Sequence, residues 1–209
     1  MPFFRQIDLL GEGRLSVWKV TEEHFPVVLT ENSQKRLAGM KRKDHRQGFL
    51  AVRMLLERAG LTDHDLRYDP SGKPFLEDGR SVSIAHSHAF AALYIGKQAW
   101  GVDVEKIHPA IVEKQTFIIG GEVLPEGCEA EALTLIWTVK EAIFKLSDTR
   151  PLNFVKDLHV YYYNVHESTG RARSVFPGWE KDFIFRFERM EDYLVTWCRI
   201  ADEYIPAKK

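Results

Sequence analysis

The spacing of apolar and polar positions changes period several times along the chain, and each change marks an element. Arg14-Leu-Ser-Val-Trp-Lys-Val20 carries apolar residues at Leu15, Val17, Trp18 and Val20, a strand with Val17 one step out of alternation. Asn32 to Ala59 reads helical, with Gly39 and Met40 marking a break between a short and a longer helix. In the longer one Asp44 is the expected N-cap, Phe49, Val52, Leu55 and Leu56 form one stripe, and Gly60 is the expected stop. Asp69-Pro-Ser-Gly-Lys-Pro74 is dense in turn formers and predicts a rigid loop. Ser81 to Ile84 alternates and runs into the apolar stretch Ala89 to Ile95, as one long strand or as two strands with an irregular centre at His86 to His88. Trp100 to Glu105 reads as a strand and Ala130 to Lys145 as a helix. His159 to Val165, Asp182 to Glu188 and Tyr193 to Ile200 read as strands. The order is strand, helices, strands, then strand, helix, strands. It predicts two similar α/β halves meeting near residue 100.

Length narrows this plan. The chain has 209 residues, enough for one large domain or two small halves sharing an interface. Apolar residues make up 44% and charged residues 28%, which argues against disorder, collagen and coiled coil. The totals of 29 Lys plus Arg and 30 Asp plus Glu leave a net charge of −1. Duplex-binding proteins show a basic excess, so nucleic acid is not expected as the main partner. Cys128 and Cys198 allow one disulfide but no disulfide framework. No apolar run approaches the ~18 residues that span a bilayer, and the N-terminus has no long apolar region. A cytoplasmic protein with no membrane partner is expected.

Three groups of residues carry candidate chemistry. Asp103 and Glu105 are two apart on a strand and share a face, while Val102 and Val104 face the other way. Adjacent carboxylates repel unless a cation or proton intervenes, and Mg²⁺ takes one or two carboxylates with phosphate oxygens and water. The competing reading is an edge strand with a wet acidic face. In Trp137-Thr-Val-Lys-Glu-Ala-Ile-Phe-Lys145, the residues Leu133, Trp137, Lys140, Glu141 and Phe144 fall on one side of a helix. A charge on such a stripe is costly unless paired or bound. Glu141 and Lys145 form an ordinary i, i+4 pair, which leaves Lys140 unexplained. Lys35, Arg36, Lys41, Arg42, Lys43, His45 and Arg46 cluster in the first half as a solvated helix face or a phosphate site. His86 and His88 share a strand face, but neither cysteine has ligand spacing, so zinc is not expected. His86 and Ser87 suit a pyrophosphate instead.

Gly101-Val-Asp-Val-Glu105 followed by Trp137-Thr-Val-Lys-Glu-Ala-Ile-Phe-Lys145 resembles the two signatures of the 4′-phosphopantetheinyl transferases. The likeness is to the surfactin-synthetase-activating type, a pseudo-dimer in one chain. It extends to Gly72-Lys-Pro74, to Ser83-Ile-Ala-His-Ser87 and to the Asp44-His-Arg46 helix start. The resemblance implies an α/β (α+β) fold of two subdomains related by a pseudo-twofold. Residues 1–100 would bind coenzyme A, residues 101–209 would hold the metal and catalytic residues, and the active site would lie in the cleft between them.

The resemblance also assigns roles. Asp103, Glu105 and Glu141 would bind Mg²⁺, and Glu141 would be the general base. Lys145 would contact a coenzyme A phosphate, with Lys140 as a candidate support. Arg46 and Lys35 would face the 3′-phosphate, Lys73 and Pro74 the adenine, and His86 and Ser87 the phosphates. The implied partners of this monomer are coenzyme A and an apo acyl or peptidyl carrier protein. Two features depart from the family. Ala85 stands where many members carry serine, and the segment 106–136, which normally helps receive the carrier, is short. Phe117 and Glu122 match that segment's aromatic and acid. Competing functions are a metal-dependent hydrolase of coenzyme A or another nucleotide, and a module that docks carriers without chemistry.

Overall fold

The computed structural model describes residues 3–9, 11–21, 25–147, 152–176 and 179–202. The chain divides into two compact units, Met1–Trp100 and Gly101–Lys209. Both are mixed α/β, and among the described residues every strand pairing is antiparallel.

The first unit starts with β1 (Phe3–Asp8) and β2 (Gly13–Lys19), followed by helices α1 (Glu31–Gly39) and α2 (Lys43–Arg58). A small hairpin of β3 (Leu66–Tyr68) and β4 (Pro74–Leu76) precedes β5 (Ser81–Ser87) and β6 (Phe90–Gly96). The main sheet runs in the order β1-β2-β6-β5. Ala51, Val52, Leu55 and Leu56 of α2 pack on Trp18, Ala91, Leu93 and Ile95 of that sheet. Each such side chain taken fully out of water contributes ~1.5–3 kcal/mol. In β2, Leu15 and Val17 are buried on one face and Trp18 on the other, so the apparent slip in alternation reflects a strand buried on both sides.

Two details, β1 and the cap of α2, differ from the sequence reading, and two of its readings are resolved. β1 has mostly exposed side chains, and its apolar residues Phe3, Phe4 and Ile7 do not alternate with polar ones, so it leaves no period to detect. The long apolar stretch is two strands, turned at His88 with φ 44°. Asp44 is not the N-cap of α2: Arg42 holds that position, and Asp44 sits in the first turn, where it accepts from the Arg42 guanidinium at 3.0 Å and 2.5 Å. The Asp69–Pro74 segment is the β3–β4 turn, and it is held by the Asp69 carboxylate, which accepts from the backbone of Ser71 (2.8 Å) and of Lys73 (2.9 Å).

The second unit starts with β7 (Gly101–Lys106), a 3₁₀ turn at Pro109–Lys114 and the short helix α3 (Gln115–Ile118). The long helix α4 (Glu129–Leu146) follows, then β8 (Leu158–Asn164), β9 (Thr169–Phe176), β10 (Trp179–Met190) and β11 (Tyr193–Ile200). The sheet order is β7-β11-β10-β9-β8. Leu133, Ile136, Val139 and Ile143 of α4 pack on Phe183, Phe185, Leu194 and Cys198. This stripe is rotated from the expected one, and Phe144 is 40% exposed. β9 escaped the sequence reading because its buried positions are small, Ala172 and Ser174, between Arg171 and Arg173. Cys128 and Cys198 are both free thiols. Among the described residues no helix is long and apolar enough to cross a membrane.

Candidate functional site

The chemistry of the second unit centres on the contact between β7 and α4. A Cβ at Gly101 would stand 1.9 Å from the Ala142 carbonyl oxygen, so only glycine lets the helix come this close. The close approach brings Lys145 onto Asp103. The Lys145 ammonium donates to Asp103 Oδ1 at 2.8 Å and to the Val102 carbonyl at 2.9 Å. Lys145 therefore pairs across to the strand rather than along the helix to Glu141. β7 is the end strand of its sheet, yet Asp103 is only 6% exposed, which removes the reading of a wet acidic face.

This pair is incompletely satisfied. Asp103 Oδ2 is buried and has no hydrogen-bond partner. Burial pushes the Asp103 carboxyl up to about 6; Lys145 opposes the rise and the neighbouring Glu105 adds to it. Glu141, half-buried on α4, is also raised, first by burial and then by the charge of Asp103, against the pull of Lys145. Neither carboxylate has enough positive charge nearby to cancel its desolvation.

Whether a divalent ion suits these residues can be judged from the donors. Among the described residues no three His, Cys, Asp or Glu side chains are grouped so as to hold a metal ion. The arrangement is thus no all-protein cage. Hard oxygen donors, one of them buried and unpartnered, and a row of carboxylates in which the charge of Glu105 raises Asp103 and that of Asp103 raises Glu141 do fit an ion bound through one or two carboxylates. Water and substrate oxygens would complete its shell, as is usual for Mg²⁺.

Lys140, the unexplained charge in the helix motif, is spent elsewhere. It is fully buried, and its ammonium donates to the carbonyls of Ile118 (2.7 Å) and Phe154 (2.9 Å) and pairs with Glu122 at 2.6 Å. Glu122 also accepts from the backbone of Gly120 and Val160. Burial lowers the Lys140 pKa against the pull of Glu122. Glu122 lies below its ordinary value: burial raises it, and Lys140 and the Gly120 amide outweigh that. Lys140 is therefore a strut, with no donor left for a phosphate. Phe117, the aromatic of the same segment, is 74% exposed.

Sequence reasoning passed over Thr138 and Thr196. Thr196 lies directly opposite Asp103 in the β7–β11 ladder, and its hydroxyl meets that of Thr138 at 2.8 Å. Both are fully buried. They tie the turn of α4 preceding Glu141 to the strand beside Asp103. The signal available was a hydroxyl inside the Trp137–Lys145 motif on the face turned to the sheet.

In the first unit the named residues gather less tightly. Arg46, in the first turns of α2, donates to the Leu37 carbonyl at 2.7 Å and so links α2 to α1. Lys35 is exposed on α1. Lys73 and Pro74 lie at the β3–β4 turn and the start of β4. His86 packs against Gly48, where a Cβ would stand 2.7 Å from the imidazole, and its ring centroid is 6.0 Å from that of His45. His86 and Ser87 are successive in β5 and point to opposite faces, so they do not act from one surface. Ser87 shares the face of Ala85, the position where the resemblance expects serine. His88 sits in the turn, 3.6 Å from Asp44.

These features define a mixed α/β protein whose second unit presents a buried, under-compensated carboxylate beside a lysine. Its relatives narrow the class. The chain matches no model of a known protein family. It is 30% identical to enterobactin synthase component D of Salmonella typhimurium (strain LT2) over 139 residues, covering 61% of this chain and 58% of that protein. The proteins of that name in Salmonella typhi and Salmonella austin are 31% and 30% identical, with 58% and 57% of their lengths covered. The chain thus spans less than two thirds of the curated relatives it matches.

Proposed function

We propose that this protein transfers the 4′-phosphopantetheine group of coenzyme A to a serine of an apo acyl or peptidyl carrier protein. It would be of the single-chain, surfactin-synthetase-activating type, with residues 1–100 and 101–209 as its two halves. The observation that carries the reading is the meeting of the two signature motifs: Lys145 on Asp103, with the second Asp103 oxygen left open and Glu141 raised beside it. The likeness to proteins named as components of an enterobactin synthase supports it, because a synthase component is a fitting relative for an enzyme that modifies synthase carriers.

Mg²⁺ held through one or two of the carboxylates Asp103, Glu105 and Glu141 would supply positive charge against the oxygens of the transferring phosphate. Glu141 takes the proton of the acceptor serine, a role that suits a carboxylate whose pKa is raised. The serine Oγ forms a bond to the phosphorus bearing pantetheine. The bond from that phosphorus to the bridging oxygen breaks, and adenosine 3′,5′-bisphosphate leaves with the electron pair. Lys145 has three N–H groups, two of them used on Asp103 and Val102, so one remains for a coenzyme A phosphate. In the first unit, Arg46 and Lys35 hold the 3′-phosphate, Lys73 and Pro74 flank the adenine, and His86 serves the pyrophosphate, Ser87 lying on the other face of β5. Such chemistry needs mainly positioning and charge neutralisation.

The test is to mix the protein with coenzyme A, Mg²⁺ and an apo carrier and to weigh the carrier by mass spectrometry. Gain of one phosphopantetheinyl group is the expected result. Loss of coenzyme A with an unmodified carrier means a hydrolase. No change in either overturns both.

A further inference from the structure

The sheet of the first unit extends beyond the helix that covers it. On the face packed against α2, the floor is apolar at Trp18 and Ala91. One and two steps of alternation earlier in β2, the same face carries Ser16 and then Arg14, opposite Leu93 and Ile95 of β6. Gln6 of β1 lies opposite Ser16. α2 ends at Arg58, so its apolar stripe stops where this polar floor begins. A cavity of about 250 Å³ remains there, and Gln6, Arg14, Ser16, Arg58, Arg80 and Lys97 line it.

The charge of the lining is one-sided. Four cations face one carboxylate, that of Glu12, which accepts from the Trp100 indole at 2.9 Å. Arg80 shares its guanidinium with Asp78, and Arg58 lies over the Phe3 ring at 3.7 Å. Arg14 and Lys97 have no ion-pair partner among the described residues. The carbonyl end of α2 works against an anion with about half a charge. With Arg80 neutralised by Asp78, two net positive charges still outweigh it, and the helix's final carbonyls already accept from the amides of Ala59 and Gly60. Cations crowded in a concavity without partners repel one another, and a small anion relieves that repulsion.

We propose that this cavity is an anion site for a small phosphorylated ligand, of the size of inorganic pyrophosphate or a phosphomonoester head group. It is separate from the residues assigned to coenzyme A, since Lys35, Arg46, Lys73, Pro74, His86 and Ser87 do not line it. Planar Arg donors supply paired hydrogen bonds to phosphate oxygens, Lys97 supplies a point charge, and Gln6 and Ser16 supply neutral donors.

The test titrates inorganic pyrophosphate into the protein and follows backbone amide resonances by NMR, beside an Arg14→Gln/Lys97→Gln double variant. Both positions are exposed, so the variant keeps its fold. The expected result is a shift of the Gly13, Gly96 and Lys97 amides in the wild type. Affinity for this component should weaken at least about tenfold in the variant and should fall with added salt. Carrier modification by the variant stays at the wild-type rate. Shifts confined to other residues, or equal affinity in both proteins, overturn the proposal. The measurement does not depend on turnover, so it stands or falls apart from the transferase reading.

Discussion

Helix α4 carries a fully buried lysine and a half-buried one five positions apart, and they do opposite work. Around Lys140 the ammonium has three acceptors, and Glu122 has three donors. Around Lys145 the ion pair is open: the lysine side chain is 26% exposed, and Asp103 Oδ2 has no partner. A buried polar network that is complete fixes a structure; one that is incomplete stores unpaired charge that a ligand can use. The difference separates fold from chemistry within one helix.

Breaking the complete pair has the largest effect. Lys140→Met leaves Glu122 buried without its cation, and Glu122→Gln does the converse; each is expected to cost ~3–5 kcal/mol of stability in denaturant unfolding. The double variant should recover part of that loss, and strict additivity would show that the two side chains do not act as a unit. Next in size are Asp103→Ala and Glu141→Ala. Each should lower carrier modification by about 100- to 1,000-fold while the unfolding midpoint moves little. Near-wild-type turnover by either variant removes that residue from the mechanism.

Smaller effects sharpen the same contrast. Thr196→Val removes the bond to Thr138 behind Asp103 and should lower kcat about tenfold, with KM for coenzyme A unchanged. Thr196→Ser restores the hydroxyl and the rate. A fall in stability without a change in kcat would leave this pair purely structural. The smallest effect is on pH dependence. Glu122 is lowered in the folded state, so its contribution is complete above its unfolded value near ~4.3 and is lost as pH falls through the folded value. Asp63 behaves alike: burial raises it, but bonds from Ser33, Thr30 and Arg53 lower it overall. Stability below pH ~4 should therefore fall more steeply in the wild type than in Glu122→Gln.

What the sequence disclosed depends on which physical effect carried each feature. Large apolar side chains reveal β11 and α4, because their spacing follows from burial. The edge strand β1 and the small-residue strand β9 lack that signal. Asp103 and Glu105 are legible as a shared strand face, but burial of Asp103 on an end strand depends on Gly101 and on Ala142, 41 residues later. The charge of Lys140 on an apolar stripe is legible as an anomaly. Its solution is not, since Glu122 sits in an irregular segment with no period to place it. His86 and Ser87 fall on opposite faces because β5 stays regular through Ser87, whereas the sequence left open an irregular centre there.

The contrast is tested most directly by the rate of carrier modification per folded molecule for Lys140→Met and Lys145→Met, assayed at a temperature where both are folded. Lys140→Met is expected to turn over near the wild-type rate, and Lys145→Met at least about 100-fold more slowly. A slow Lys140→Met beside an active Lys145→Met would contradict the division of α4 into a strut and a reactive pair.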